Sequence, residues 1–191
     1  MLYSANTLRG SEVVGSDGGL IGRLIDAYAR EDSSDISYLI VESAPGRICL
    51  FPAETITEYD TARRRLSLAV SPAEAAECRI APDGVPVTFR DSDGPSPMDL
   101  HVVSQVLGYG VEAVNGPVGR LADVLIDSEG LVIRYLVVDT RDWQPGSDKL
   151  IPTEWVQSID WPRSRMFLKI TQEKARQCQR AFAGTHFLHP G

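Results

Sequence analysis

Gly19-Leu20-Ile21-Gly22-Arg23-Leu24-Ile25-Asp26 and Gly116-Pro117-Val118-Gly119-Arg120-Leu121-Ala122-Asp123 are near copies, 119 − 22 = 97 positions apart. The same offset aligns Ile36 with Ile133, Tyr38 with Tyr135, Leu39 with Leu136 and Val41 with Val138, and pairs such as Tyr38/Tyr135, Leu39/Leu136 and Val41/Val138 are expected to supply the core. Past a three-residue insertion near Arg141-Asp142-Trp143, the offset becomes 152 − 52 = 100. It then pairs Leu50/Leu150, Pro52/Pro152, Glu54/Glu154, Asp60/Asp160, Arg63/Arg163, Arg65/Arg165 and Leu68/Leu168. An internal repeat of this length implies two copies of one small domain.

Working outward, each copy reads as short strands joined by turns. Asp17-Gly18-Gly19 in the first copy and Asn115-Gly116 in the second favour positive φ and predict hairpins. β-branched and aromatic residues predict strands at 36–41 and 132–138. Strands at 47–51 and 149–151 end at Pro52 and Pro152, which cannot donate to a ladder. Alternating runs at 65–70 and 165–170 predict the last strand of each copy. Ser71-Pro72-Ala73-Glu74 is a capping box that opens a helix, and Thr171 caps a second helix expected over Gln172 to Phe182. The expected fold is mostly β: two small antiparallel barrels, each followed by a short helix. The expected boundaries are 1–78 for the first domain, 79–99 for a Pro/Gly-rich linker, 100–183 for the second domain and 184–191 for a tail. One further strand is expected at 85–89 inside the linker.

The 191 residues carry a net charge of −7 and 43% hydrophobic residues. That charge disfavours general affinity for phosphate backbones or anionic lipid. No apolar run reaches the ~18–20 residues of a membrane helix, and no signal peptide is visible, so a soluble cytoplasmic protein is expected. Cys49, Cys78 and Cys178 are odd in number and far apart, which reads as reduced thiols.

The ordered set Gly-x-hydrophobic-x-Asp, Tyr-Leu-hydrophobic-Val, Ile/Phe-Pro-x-Glu and Asp before a final hydrophobic strand resembles the PRC-barrel domain family. The resemblance covers about Leu8 to Val70 and Leu107 to Ile170. That family includes the cytoplasmic domain of the photosynthetic reaction-centre H subunit and the C-terminal domain of a bacterial ribosome maturation factor. It implies a small β-barrel that binds proteins and does no chemistry. The alternatives are a ribosome-maturation-type factor, an accessory factor of a membrane or photosynthetic complex, and a small-ligand binder or enzyme.

Individual residues add little chemistry. Gly22 and Gly119 read as points of close backbone approach. Asp26 and Asp123 read as carboxylates tied to backbone donors, since no nucleophile or histidine recurs beside them. Glu54 and Glu154 read as first-turn carboxylates facing free amides. Asp91-Ser92-Asp93-Gly94 opens like a calcium loop, but Val102 stands where its closing glutamate belongs. His186 and His189 are read as solvated. Arg63-Arg64-Arg65 is the densest basic spot, and nearby acids argue against a nucleic-acid partner. No cofactor, metal or catalytic residue is expected. The candidate interface is the insertion itself, Arg141, Asp142 and Trp143, facing a protein of unknown identity or a second copy of the chain.

Overall fold

The computed structural model describes residues 1–30, 33–80, 100–141 and 148–181. The chain opens with β1 (Leu2–Ser4) and a single-turn helix, α1 (Ala5–Leu8). The first repeat supplies β2 (Glu12–Val14), β3 (Leu20–Arg30), β4 (Ile36–Ala44), β5 (Arg47–Pro52), β6 (Ile56–Asp60), β7 (Arg65–Leu68), α2 (Pro72–Ala76) and β8 (Arg79–Ile80). After β9 (Leu100–Val102), the second repeat supplies β10 (Gly110–Ala113), β11 (Gly116–Asp127), β12 (Val132–Asp139), β13 (Lys149–Pro152), β14 (Val156–Asp160), β15 (Arg165–Leu168) and α3 (Gln172–Gln177).

The chain divides into two units, Thr7–Val103, and Met1–Asn6 with Ser104–Gly191. The first holds an eight-stranded sheet in the order β6-β7-β2-β3-β4-β5-β8, with β9 added on β3. The second holds a seven-stranded sheet in the order β13-β12-β11-β10-β15-β14, with β1 added on β11. Read from the β6 or β14 end, the shared strands have the same order. Pairing is antiparallel except for β2 with β7 and β10 with β15, which run parallel. Among the described residues neither ladder closes on itself, so the structure shows two mostly antiparallel sheets and not closed barrels. The first sheet nevertheless curls. Cys49 and Phe51 of β5 share one buried cluster with Leu66 and Leu68 of β7, although these strands lie far apart in the order.

Three sequence expectations change. Residues 1–6 and 100–103 each join the unit built mainly from the other repeat, so the units do not follow the expected boundaries. The two leading strands dock alike: Leu2 faces Asp127, and Leu100 faces Arg30, residues that are themselves 127 − 30 = 97 apart. Second, α3 stops at Gln177 rather than running to Phe182. Its chain turns back to β13, where the Leu150 amide donates to the Gln179 carbonyl and the Ala181 amide to the Asp148 carbonyl. Third, Tyr38 and Tyr135 are only half-buried, while Leu39, Val41, Leu136 and Val138 fill the interior. Neighbours along a strand point to opposite faces. Tyr38 therefore packs outside, beside Tyr28, Ile40, Leu50 and Leu100, and Tyr135 beside Leu2, Leu125, Val137 and Leu150. The strand expected at 85–89 lies outside the described residues.

The recurring glycine has a steric cause. A Cβ on Gly22 would lie 2.2 Å from the Glu42 carbonyl oxygen, and one on Gly119 would lie 2.0 Å from that of Asp139. Both contacts are with backbone, which cannot swing away. Gly22→Ala and Gly119→Ala are each expected to lower unfolding free energy by ~1–3 kcal/mol in urea titration. Gly110→Ala is the control: its Cβ would meet only the Arg165 Cγ, at 4.0 Å, and its stability should change by less than ~1 kcal/mol.

Candidate functional site

The repeated aspartates are structural. In β3 the register shifts between Leu24 and Asp26, and in β11 between Leu121 and Asp123. Each shift is a bulge, which leaves a residue outside the ladder and bends the strand. The aspartate stabilises it by accepting from the next amide: Ala27 N to Asp26 Oδ1 at 2.9 Å, and Val124 N to Asp123 Oδ1 at 2.8 Å. The bulge carbonyls are also met. Arg9 Nε donates to Ile25 O at 2.9 Å, and Asn6 Nδ2 to Ala122 O at 3.2 Å. Asp123 further accepts from the Ser4 hydroxyl and from the Asn6 amide, so it also pins the leading strand of its unit.

The basic run is engaged within its own unit. Arg63 pairs with Asp60 at 3.3 Å and Arg65 with Glu12 at 3.3 Å. Arg64 Nη2 donates to the carbonyls of Thr7 and Arg9. The second repeat repeats two of these pairs, Arg163 with Asp160 and Arg165 with Glu112. Backbone and side-chain donors of Arg63 hold the Asp60 carboxyl below its ordinary range despite some burial. These guanidiniums thus serve the fold first. Glu54 and Glu154 lie exposed in the single 3-10 turns that follow Pro52 and Pro152. Trp161 packs edge-on against Tyr109 with ring centres 6.1 Å apart, and Lys174 Nζ lies 5.6 Å from the centre of the Trp155 ring.

Of the insertion, the structure describes Arg141 but not Asp142 or Trp143, which lie outside the described residues. So do the sequence-read calcium-like stretch at 91–94 and the histidines at 186 and 189. Arg141 Nε reaches both Asp139 oxygens, at 3.0 and 2.8 Å, and its amide donates to Asp139 Oδ1 at 3.0 Å. The exit of β12 is therefore fixed by a two-residue clamp. Those hydrogen bonds hold the Asp139 carboxyl below its ordinary range. Across the loop, burial and then the Asp139 charge raise the Asp148 carboxyl, with Arg141 opposing.

Sequence reading missed two features. In the first unit an open cavity of about 320 Å³ lies beside the β2–β3 turn, lined by Gly15, Asp17, Leu20, Ile21, Arg47 and Ala75. Leu20 is 68% exposed at its rim. The period-2 pattern of β3 assigns Leu20 to a face, but does not show that this end of the face is uncovered. The second feature is a disulfide between Cys49 and Cys78, which corrects the reading of all three cysteines as thiols. The two are 29 residues apart in sequence, yet β5 and the chain after α2 are neighbours in the sheet. Cys178 is the free one, its thiol raised by burial against the pull of Lys149 and Lys174. Among the described residues no group of three or more His, Cys, Asp or Glu could hold a metal, and no helix is long and apolar enough to cross a membrane.

Residues 1–74 match the PRC-barrel domain family, so a PRC-barrel domain is found in the first part of the chain. No curated protein matches the chain.

Asp148 offers a test of the loop's electrostatics. A carboxyl raised in the folded state favours folding while protonated. That contribution is full below the unfolded value of ~3.9 and is lost as pH rises through the folded value. Asp148→Asn keeps the shape and removes the charge. It is expected to raise the Tm at about pH 7 and leave it unchanged at about pH 3. An equal change at both pH values would rule out the charge as the cause.

Proposed function

We propose that the chain is a non-enzymatic protein-binding or assembly module made of two PRC-barrel-like domains. The observation that carries the reading is the PRC-barrel domain at residues 1–74. The second repeat supports the tandem reading, because β10 to β15 reproduce the order of β2 to β7, the parallel pair and the bulge at the repeated aspartate. The polar residues that recur between the repeats are occupied in bulges, turns and ion pairs, which leaves recognition to features that differ. Two such features stand out. One is exposed Leu20 beside its cavity, where the second repeat has Pro117. The other is the insertion, held at its entry by the Asp139–Arg141 clamp.

On this reading Trp143 is the anchor that meets a protein partner, a second copy of the chain included, in the cytoplasm and without a cofactor. A loop gains such a role without disturbing the strands on either side. A buried interface tryptophan carries about 2 kcal/mol or more, which is roughly thirtyfold in affinity.

The test is the association of the full chain, followed by light scattering and by recovery of a stoichiometric partner from its native cells. Trp143→Ala and Leu20→Asp should each weaken that association at least tenfold with Tm nearly unchanged. A Trp143→Ala variant that loses several kcal/mol of stability, as a core aromatic does, while associating normally would make Trp143 a packing residue. Co-sedimentation with small ribosomal subunits would replace a general assembly role with a ribosome-maturation one.

A further inference from the structure

The disulfide sits where the two repeats solve one mechanical problem in different ways. In the first unit, α2 is a five-residue helix, and the chain after it adds only a two-residue strand, β8, to the edge of β5. Two residue pairs make that ladder, Cys49 with Ile80 and Leu50 with Arg79. So short a helix and so short a strand are marginal alone. Arg47 Nη2 adds one bond, to the Ala76 carbonyl at 2.6 Å. The covalent link between Cys49 and Cys78 supplies the rest, with Cα atoms 5.6 Å apart, inside the range a disulfide spans without moving backbone.

The second unit meets the same need with no sulfur bond. Lys149 and Cys178 stand 100 positions on from Cys49 and Cys78. Lys149 is buried, and its Nζ donates to the carbonyls of Arg176 at 2.8 Å and Cys178 at 3.2 Å. The chain after α3 again lies on the edge strand, with Arg180 bridged to Lys149. The tie joins the same two places, but a reductant cannot cut it.

We propose that Cys49–Cys78 is a redox-released tether that holds α2 and β8 on the β5 edge, a control confined to the first unit. A small dithiol would open it. One thiolate attacks the sulfur of Cys78, the less buried of the two residues, and expels the Cys49 thiolate. The second thiolate then displaces Cys78 and closes a cyclic disulfide. Two electrons pass from the dithiol to the protein, and the two thiol protons end on the Cys49 and Cys78 sulfurs. Glutathione disulfide runs the exchange backwards and leaves as two glutathione thiols. Once open, only two residue pairs and the Arg47 bond keep β8 in place. Cys49, fully buried in the apolar core, stays there as a small hydrophobe. This tether is internal to one unit and stands or falls apart from any partner of Leu20 or Trp143.

The full chain tests it directly. After treatment with glutathione disulfide, alkylation in denaturant should label one cysteine, Cys178; after a dithiol it should label three. Amide exchange across 73–80 should then be at least tenfold faster in the reduced protein, with 173–180 unchanged as the internal control. Cys78→Ala, at a half-buried position, should give the fast exchange in both conditions. Three labelled cysteines after the oxidant, or equal exchange at 73–80 in the two states, would overturn the proposal.

Discussion

At Gly22 the backbone of β3 comes so close to the Glu42 carbonyl that there is no room for a Cβ, and at Gly119 the β11 backbone meets the Asp139 carbonyl in the same way. Each sheet depends on this approach. Directly after it the strand must bulge, because the register shifts at Asp26 or Asp123. The bulge turns a long strand so that its first half pairs with the preceding hairpin strand and its second half accepts a leading strand. One steric contact and one carboxylate thus explain why Gly22 and Asp26 recur as Gly119 and Asp123. They also explain why the most similar part of the repeats carries no chemistry: its polar atoms are already used by the backbone.

Where the repeats diverge, the divergence that matters falls on ties and loops. Arg64 and Ser164 both hold positive φ in the turn before the last strand, but only Arg64 reaches across to the Thr7 and Arg9 carbonyls. Cys49 and Lys149 both anchor the segment that follows the terminal helix. The Asp139–Arg141 clamp opens a loop that the first repeat lacks. Interior pairs such as Leu24/Leu121, Leu39/Leu136, Val41/Val138 and Leu68/Leu168 are unchanged, as close packing favours. Cys49 and Lys149 are a buried exception: the same place is held by sulfur in one copy and by an ammonium in the other.

Much of this is legible in the sequence. Asp17-Gly18 and Asn115-Gly116 mark their hairpins by local chemistry, and Ser71 with Glu74 forms the capping box that the residues announce. Strand interiors followed from alternation, although Tyr38 and Tyr135 show how one aromatic in a strong apolar run is assigned to the wrong face. Three things were not legible, for one reason: each depends on residues distant in sequence. The parallel pairing of β2 with β7 leaves no local trace. Cys49 and Cys78 meet only because β8 returns to β5. The leading strands look like an ordinary start and an ordinary linker end. The repeat alignment did hold a clue, since 78 + 100 = 178 places a cysteine opposite a cysteine and Lys149 opposite Cys49.

The leading strands carry the last consequence of that alignment. Leu2 is almost wholly buried in the unit that contains residues 104–181, and Leu100 is buried in the unit that contains residues 7–80. Burying a leucine contributes about 1.5–3 kcal/mol, a large share of the margin by which a small domain is stable. Neither repeat supplies that leucine to its own unit. The residues that complete the second unit are made before the first repeat, and those that complete the first are made after it. The first unit is thus one continuous stretch, Thr7–Val103, closed by its own β9, whereas the second needs Met1–Asn6 from the far side of the first. The glycine contact and the aspartate bulge prepare the docking strand in each unit; the sequence from outside the repeat then fills it.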